Sequence, residues 1–171
     1  MTDFEWPWEY NFPPFFTIQP HTKTRERQLL TWCSLVLKYY KHKNLAVLNF
    51  GEESELFANE AINRKLSNDG KLQVLEELEK TKNAVPLDKK KTQWEVYWHT
   101  LDEWANLIHN WVVANGQTNT IFTLFDLTNG DSTQGEEFYG LDERVLTKAL
   151  KVLEGRGKCV VFENNEGVKF L

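Results

Sequence analysis

The chain has 171 residues, a formal net charge of −5 and 41% apolar residues. This length predicts one domain or two small ones. The balanced charge and the 13% aromatic residues exclude wholesale disorder. No run approaches the ~18 apolar residues of a membrane span, and the start lacks the basic and apolar regions of a secretory signal. We therefore expect a protein of the cytosol or the nucleus.

Charge is unevenly distributed along the chain. Residues 1–99 carry 14 basic and 14 acidic side chains, whereas residues 100–171 carry 6 basic and 11 acidic ones. No lysine or arginine lies between Lys91 and Arg144. Such a region repels phosphate backbones and attracts basic partners. The candidate contacts are four acids of this region: Asp126, Asp131, Glu136 and Glu137. The alternative is that acidic loops only keep a small domain soluble.

Aromatic residues and prolines crowd the amino-terminal segment, residues 1–21. Residues 4–16 contain seven aromatic residues, and the prolines at positions 7, 13 and 14 disfavour an α-helix. Aromatic residues at every second position from 4 to 12 predict an extended strand with its rings on one side. So much aromatic surface is not expected to remain in water.

The main candidates for binding another protein are four consecutive residues of this segment: Pro13, Pro14, Phe15 and Phe16. Two prolines pre-order the backbone, so little entropy is lost on docking, and two rings supply apolar area for a partner's pocket. Such anchors commonly contribute about 2 kcal/mol or more each. Trp6 and Trp8 complete the candidate set. The alternative is that the segment folds back on its own domain, which fits the two tryptophans about equally well.

Apolar periodicity and capping residues predict the elements of residues 22–99. Three helices are expected, at residues 22–43, 54–66 and from Ser67 to about residue 83, with Ser67 as the cap of the third. Two strands follow at residues 84–88 and 93–98, around a turn of three lysines.

The same order recurs in residues 100–171. Thr100 and Glu103 form a capping box. The predicted elements are helices from Thr100 to near Gly116, at 118–127 and at 141–154, then strands at 159–162 and 168–171 around the turn Asn164–Gly167.

Helix, helix, helix, strand, strand therefore occurs twice, and this is the winged-helix arrangement. We predict a mainly α chain with small β-hairpins, organised as two tandem winged-helix domains. The first domain spans residues 22–99 and the second spans residues 100–171, with almost no linker between them.

The residues that could support catalysis are scattered. The four histidines, His21, His42, His99 and His109, form no metal-ligand spacing. Cys33 and Cys159 fit buried structural thiols better than nucleophiles. The chain also lacks the glycine-rich phosphate-binding motifs. We expect neither an enzyme nor a bound cofactor.

Binding to nucleic acid is the alternative function of a winged helix, because the third helix commonly enters the major groove. Such a helix needs several lysines or arginines to contact phosphate. Both candidate helices, 67–83 and 141–156, mix acids with bases. The three lysines at residues 89–91 are usual for a solvated turn. The isoelectric point, near 5.4, indicates that the chain lacks the basic surface of nucleic-acid-binding domains. We therefore expect no nucleic-acid partner.

Several segments together resemble the small winged-helix subunits of ESCRT-II, the endosomal sorting complex required for transport II. The resemblance covers essentially the whole chain and rests on these segments: Phe4–Tyr10 (FEWPWEY), Phe12–Pro20 (FPPFFTIQP), Trp32–Leu37 (WCSLVL), Phe122–Gly130 (FTLFDLTNG), Gly140–Glu143 (GLDE) and Gly167–Leu171 (GVKFL).

The resemblance implies a non-catalytic adaptor in ubiquitin-dependent sorting of cargo into multivesicular bodies. It implies two copies per complex, each holding one of the two larger ESCRT-II subunits through Pro13, Pro14, Phe15 and Phe16. It also implies that the second winged helix contacts an ESCRT-III subunit, charged multivesicular body protein 6. The endosomal membrane would be reached only indirectly, through the complex. The four acids named above are the electrostatic candidates for the ESCRT-III contact.

Overall fold

The computed structural model of the chain describes residues 3–164 and 166–171, which form five α-helices and eight short β-strands. The helices are α1 (Thr22–Lys43), α2 (Asn68–Lys80), α3 (Leu101–Ala114), α4 (Leu124–Asn129) and α5 (Glu143–Gly155). The strands are β1 (Val47–Asn49), β2 (Ala58–Asn59), β3 (Arg64–Lys65), β4 (Ala84–Pro86), β5 (Gln93–Val96), β6 (Ile121–Thr123), β7 (Cys159–Val161) and β8 (Gly167–Phe170). The predicted fold class, mainly α with small β-hairpins, is confirmed.

Capping residues set the ends of the long helices. The Ser67 hydroxyl accepts a hydrogen bond from the Gly70 backbone N–H at 3.1 Å and starts α2. The Thr100 hydroxyl accepts from the Glu103 N–H, and the Glu103 carboxylate accepts from the Thr100 N–H, which completes the predicted capping box of α3. Helix α1 has the predicted bounds and ends where Asn44 takes a left-handed conformation.

Two compact units divide the chain, Met1–Trp98 and His99–Leu171. The first unit contains a three-stranded sheet in the order β1-β5-β4, and the second contains one in the order β6-β8-β7. In each unit the strand that follows the first helix pairs with the last strand of the hairpin. These additional strands, β1 and β6, were not predicted from the sequence pattern. The residues of the predicted docking segment that the structure describes, 3–21, lie within the first unit.

One predicted helix is absent, and a second begins later than predicted. Residues 54–66 instead contain β2, a 3-10 turn at Glu60–Ile62 and β3. The Asn59 side chain accepts from the Ala61 N–H, and Asn63 takes a left-handed conformation, so both asparagines favour a tight turn over a helix. The helix predicted at 118–127 is replaced by strand β6 and the short helix α4. Thr123 separates them because its hydroxyl caps α4 through the Asp126 N–H.

The extended strand predicted for the aromatic segment is also wrong. The chain forms two successive 3-10 turns there, at Trp8–Asn11 and at Pro13–Phe16. Proline suits the first position of such a turn because its fixed φ is helical and its missing N–H would have no partner there. The carboxy-terminal hairpin β7–β8 is confirmed, although residue 165 of its predicted turn lies outside the described residues.

Each unit has its own apolar core. The first core includes these buried side chains: Tyr10, Phe15, Phe16, Trp32, Val36, Leu56, Val74, Leu75, Leu78 and Trp94. The second includes Trp104, Ile108, Leu127, Phe138, Leu146, Leu150, Val168 and Phe170. Among the described residues, no helix is both long enough and apolar enough to span a bilayer.

Candidate partner-binding sites

The rings of Phe15 and Phe16 belong to the core of the first unit. They are only 4% and 3% exposed. The Phe15 ring stacks on Trp32 of α1, with centroids 4.2 Å apart and planes within 3° of parallel, and the Phe16 ring meets Trp32 edge-on at 5.4 Å. The prediction that these two rings lie free for a partner is therefore wrong for this structure. The alternative, folding back on the chain's own domain, holds for them.

Two side chains of α1 fix the backbone of the same turn. The Trp32 Nε1–H donates to the Phe15 carbonyl oxygen at 2.9 Å. The Gln28 side-chain amide donates to the carbonyl oxygens of Phe15 and Thr17, at 3.0 and 2.9 Å, and its own oxygen accepts from the Gln19 N–H at 2.9 Å. Gln28 is a buried polar side chain, and its position is explained by the carbonyl groups that it satisfies. The diproline turn is thus held in a defined conformation.

Trp6 lies partly buried against its own unit. Its ring stacks on Tyr10 at 3.9 Å, and Phe4 packs edge-on against Trp6 at 4.8 Å and against Tyr39 at 5.3 Å. The Tyr10 hydroxyl contacts the carbonyl oxygens of Glu55 and Ala58. These contacts hold one side of Trp6 against its own unit, as the fold-back alternative predicts.

Trp8, Phe12, Pro13 and Pro14 form an exposed patch, which we call the amino-terminal patch. Trp8 is 70% exposed and Phe12 is 47% exposed, with ring centroids 5.6 Å apart. Both prolines are exposed as well. Exposed aromatic residues next to prolines are the composition expected of a docking surface. Sequence reasoning found three of the four residues but missed Phe12, which it counted only as part of the alternating pattern.

The four acids of the second unit are all exposed, but they differ in their contacts. Asp126 accepts from the Thr123 N–H at 3.2 Å, which completes the capping box of α4. A Glu137 oxygen lies 2.5 Å from Nε2 of His99. Asp131 begins a 3-10 turn, and the side chains of Asp131 and Glu136 have no hydrogen-bond or ion-pair partner in the described part of the chain. Asp131 and Glu136 are therefore the acids most available to a basic partner.

Neither cysteine is suited to nucleophilic chemistry. Burial, and to a smaller extent the negative charge of Glu77, raises the pKa of the Cys33 thiol to about 12. Burial, followed by the charge of Glu154, raises the pKa of the Cys159 thiol to about 11. Both thiols are protonated at neutral pH, whereas the thiolate is the nucleophile. Among the described residues, no group of three or more His, Cys, Asp or Glu could hold a metal ion.

Comparison with known proteins identifies what this chain is similar to. A family described as ESCRT-II complex subunit matches residues 9–142. Vacuolar protein-sorting-associated protein 25 of Drosophila melanogaster is 50% identical over 99% of both chains. The Xenopus laevis protein of that name is 49% identical over 98% of both, and the Homo sapiens protein is 46% identical over 98% of this chain and 97% of its own.

Solved structures agree with the sequence comparison. The crystal structure of subunit VPS25 of ESCRT-II superposes with a TM-score of 0.86 at 29% identity, covering 96% of this chain and 98% of that chain. A chain of the endosomal complex ESCRT-II (VPS22/VPS25/VPS36) superposes with a TM-score of 0.81 at 30% identity, over the same shares.

Proposed function

Because the chain belongs to the family of ESCRT-II complex subunits, we propose that each of two copies binds one of the two larger subunits of an ESCRT-II complex through its amino-terminal patch. Its relatives are named as vacuolar protein-sorting-associated proteins, so we assign the chain to protein transport rather than to catalysis. In a solved complex of the family the other two subunits are VPS22 and VPS36. The proposed partners of this chain are the two larger subunits of its own ESCRT-II complex.

The observation that supports this proposal is that the segment contains both buried and exposed side chains. Phe15 and Phe16 point into the first unit, so they hold the turn, while Trp8, Phe12, Pro13 and Pro14 are exposed. A turn that is fixed before binding loses little entropy on docking. The partner contact that the resemblance assigned to all four residues of the PPFF sequence is thus proposed for Pro13 and Pro14 together with Trp8 and Phe12.

Co-purification with the larger subunits tests the proposal. We expect the double variant Trp8→Ala/Phe12→Ala to lose the larger subunits, since buried aromatic anchors contribute about 2 kcal/mol or more each. Phe125→Ala is the matched control, because Phe125 is a 69% exposed aromatic residue in the second unit. Normal co-purification of the double variant would contradict the proposal, provided that thermal melting shows it to be folded.

We also propose that the second unit recruits an ESCRT-III subunit, charged multivesicular body protein 6, through its acidic surface. Its support is the charge of residues 100–171, which carry 11 acids and 6 bases. Within that surface, Asp131 and Glu136 are exposed and free of ion pairs in the described structure. A basic helix would gain from long-range attraction and faster association.

Charge reversal separates this contact from the first. We expect Asp131→Lys/Glu136→Lys to weaken binding of the recruited subunit at low salt and to leave binding of the larger subunits unchanged. Glu52→Lys/Glu53→Lys changes the charge equally at exposed positions of the first unit and serves as the control. Equal affinity of both double variants would overturn the electrostatic proposal.

The chain would then act in the cytosol and reach endosomal membranes through the complex. Its output would be geometric: two tethered copies would hold two recruited subunits close together and so raise their effective concentration. The alternative, binding to duplex DNA, predicts a salt-dependent mobility shift. The acidic second unit argues against it.

A further inference from the structure

A groove lies between the amino-terminal segment and helix α1, outside the amino-terminal patch. Its volume is about 510 Å³. The apolar part of its lining is formed by Phe4, Trp6, Pro7, Leu30 and Leu35. Leu30, in the middle of the 22-residue helix α1, is 66% exposed. The groove is large enough to receive bulky apolar side chains of another molecule.

The charges on the two walls of the groove are opposite in sign. Glu5 and Glu9 line the wall formed by the amino-terminal segment, and Lys38 lines the wall formed by α1. None of these three side chains forms an ion pair within the described residues. The walls therefore do not neutralise each other, and each remains available to a ligand.

Lys38 belongs to a basic stripe along the exposed face of α1. Residues spaced three or four apart share one face of a helix, and the six exposed residues on this face are Lys23, Arg27, Leu30, Ser34, Lys38 and Lys41. The stripe extends about 27 Å, from the 1.5 Å rise per residue. Its four cations have no ion-pair partner among the described residues, and Glu26 is the only acid in the helix sequence. One exposed leucine thus lies between cations on both sides.

We propose that this groove and stripe bind an acidic peptide segment that carries one bulky apolar anchor. The anchor would enter the groove between Trp6 and Leu30. Acidic residues on either side of the anchor would reach Arg27, about one turn before Leu30, and Lys38, about two turns after it. Glu5 and Glu9 on the opposite wall would repel those acids and so orient the peptide with its acidic side toward α1. This surface is separate from the patch proposed to bind the larger subunits.

A designed peptide tests the proposal directly on the full chain. The probe is a fluorescein-labelled peptide with one central phenylalanine flanked by glutamates, and its matched control has glutamine in place of every glutamate. We expect saturable binding of the acidic probe at concentrations below ~1 mM, with affinity falling as salt increases. The glutamine peptide is expected to bind at least about tenfold more weakly.

Exposed variants locate the site. Arg27→Glu/Lys38→Glu and Leu30→Asp are each expected to weaken the acidic probe at least about tenfold. Lys89→Glu/Lys90→Glu makes the same change of charge on an exposed turn of the first unit and should leave binding unaltered. Trp8→Ala/Phe12→Ala should also leave it unaltered, so a failure here is distinguishable from a failure of the proposed function.

Three results would overturn the proposal. The first is no binding of the acidic probe, and the second is equal weakening of that binding by the Lys89/Lys90 control. The third is that the peptide fails to bind while vesicles of phosphatidylcholine and phosphatidylserine bind in a way that depends on Arg27 and Lys38. The last result would assign the stripe to an anionic membrane surface.

Discussion

The Phe15 side chain joins the amino-terminal segment to α1 through its parallel stacking on Trp32. We expect Phe15→Ala to lower the free energy of unfolding by about 3–5 kcal/mol, because it removes a buried ring and leaves a cavity. Urea denaturation followed by tryptophan fluorescence measures this loss.

Trp8→Ala is the matched control for Phe15→Ala. Its ring is 70% exposed, so its truncation is expected to change stability by no more than about 0.5 kcal/mol. Similar losses for the two variants would contradict the assignment of Phe15 to the core and of Trp8 to the surface.

The burial of Phe15 could not be predicted from composition, for a physical reason. Ring content shows that a segment will avoid water, but it does not show which surface will cover it. The usable signal lay in α1, where Gln28 and Trp32 fall on the apolar face. Each carries an N–H group that needs an acceptor when buried. Those acceptors are carbonyl oxygens of the segment, including that of Phe15.

At the scale of elements, predictions succeeded where a local signal determined the structure. Ser67, Thr100 and Glu103 cap their helices through neighbours in the sequence, and these caps were predicted. Strands β1 and β6 were missed because each is held by a distant strand, β5 or β8. Three-residue strands carry too few side chains to show a period of two. The exposed partner of Trp8, Phe12, was missed because a 3-10 turn replaced the expected strand.

Gly70 marks a close approach within the first unit. A Cβ atom there would lie 2.6 Å from Cδ1 of the buried Leu66. Gly70→Ala gains up to about 1 kcal/mol of helix propensity, but crowding in a packed core costs about 1–3 kcal/mol. We therefore expect a net loss of about 1 kcal/mol, measured as a lower denaturation midpoint.

Gly155, the last residue of α5, provides the control for Gly70. Nothing lies within 4 Å of a Cβ added there, so Gly155→Ala should be neutral or slightly stabilising. A Gly70→Ala protein as stable as the Gly155→Ala protein would show that Leu66 moves aside without cost.

The capping box of α3 gives a second prediction for an element. Thr100→Ala is expected to lower stability by about 1 kcal/mol, because the Glu103 N–H loses its acceptor. Hydrogen bonding from the Thr100 backbone N–H lowers the pKa of Glu103. This carboxylate therefore stabilises the fold above its unfolded pKa, and the contribution is lost as the pH falls through the folded value.

Thermal melting at neutral and acidic pH measures both effects. Glu103→Gln should reduce the loss of stability on acidification. Thr147→Ala, a threonine within α5, should show no comparable loss at neutral pH. A neutral result for Thr100→Ala would mean that solvent caps this helix equally well.

Across the whole molecule, the two units differ in net charge and in aromatic content. Residues 1–99 are balanced in charge, and residues 100–171 carry the whole net charge of −5. The first unit also contains the four buried tyrosines, Tyr10, Tyr39, Tyr40 and Tyr97. The units should therefore respond differently to salt and to alkaline pH.

Alkaline pH should destabilise the first unit. Burial, followed by the charge of Glu55, raises the pKa of Tyr10 to about 12. Burial, followed by hydrogen bonding to Glu55, raises the pKa of Tyr39 to about 12. Burial likewise raises the pKa values of Tyr40 and Tyr97.

Because unfolded tyrosines ionise near pH 10, the stabilisation from these phenols is complete below about pH 10 and is lost as the pH rises toward about 12. Denaturant midpoints measured across this range, together with tyrosinate absorbance, should fall as the pH rises. Tyr39→Phe keeps the ring but removes one phenol, so it should flatten the decline. A midpoint that does not change up to about pH 12 would show that the buried hydroxyl groups ionise equally easily in the folded and unfolded chains.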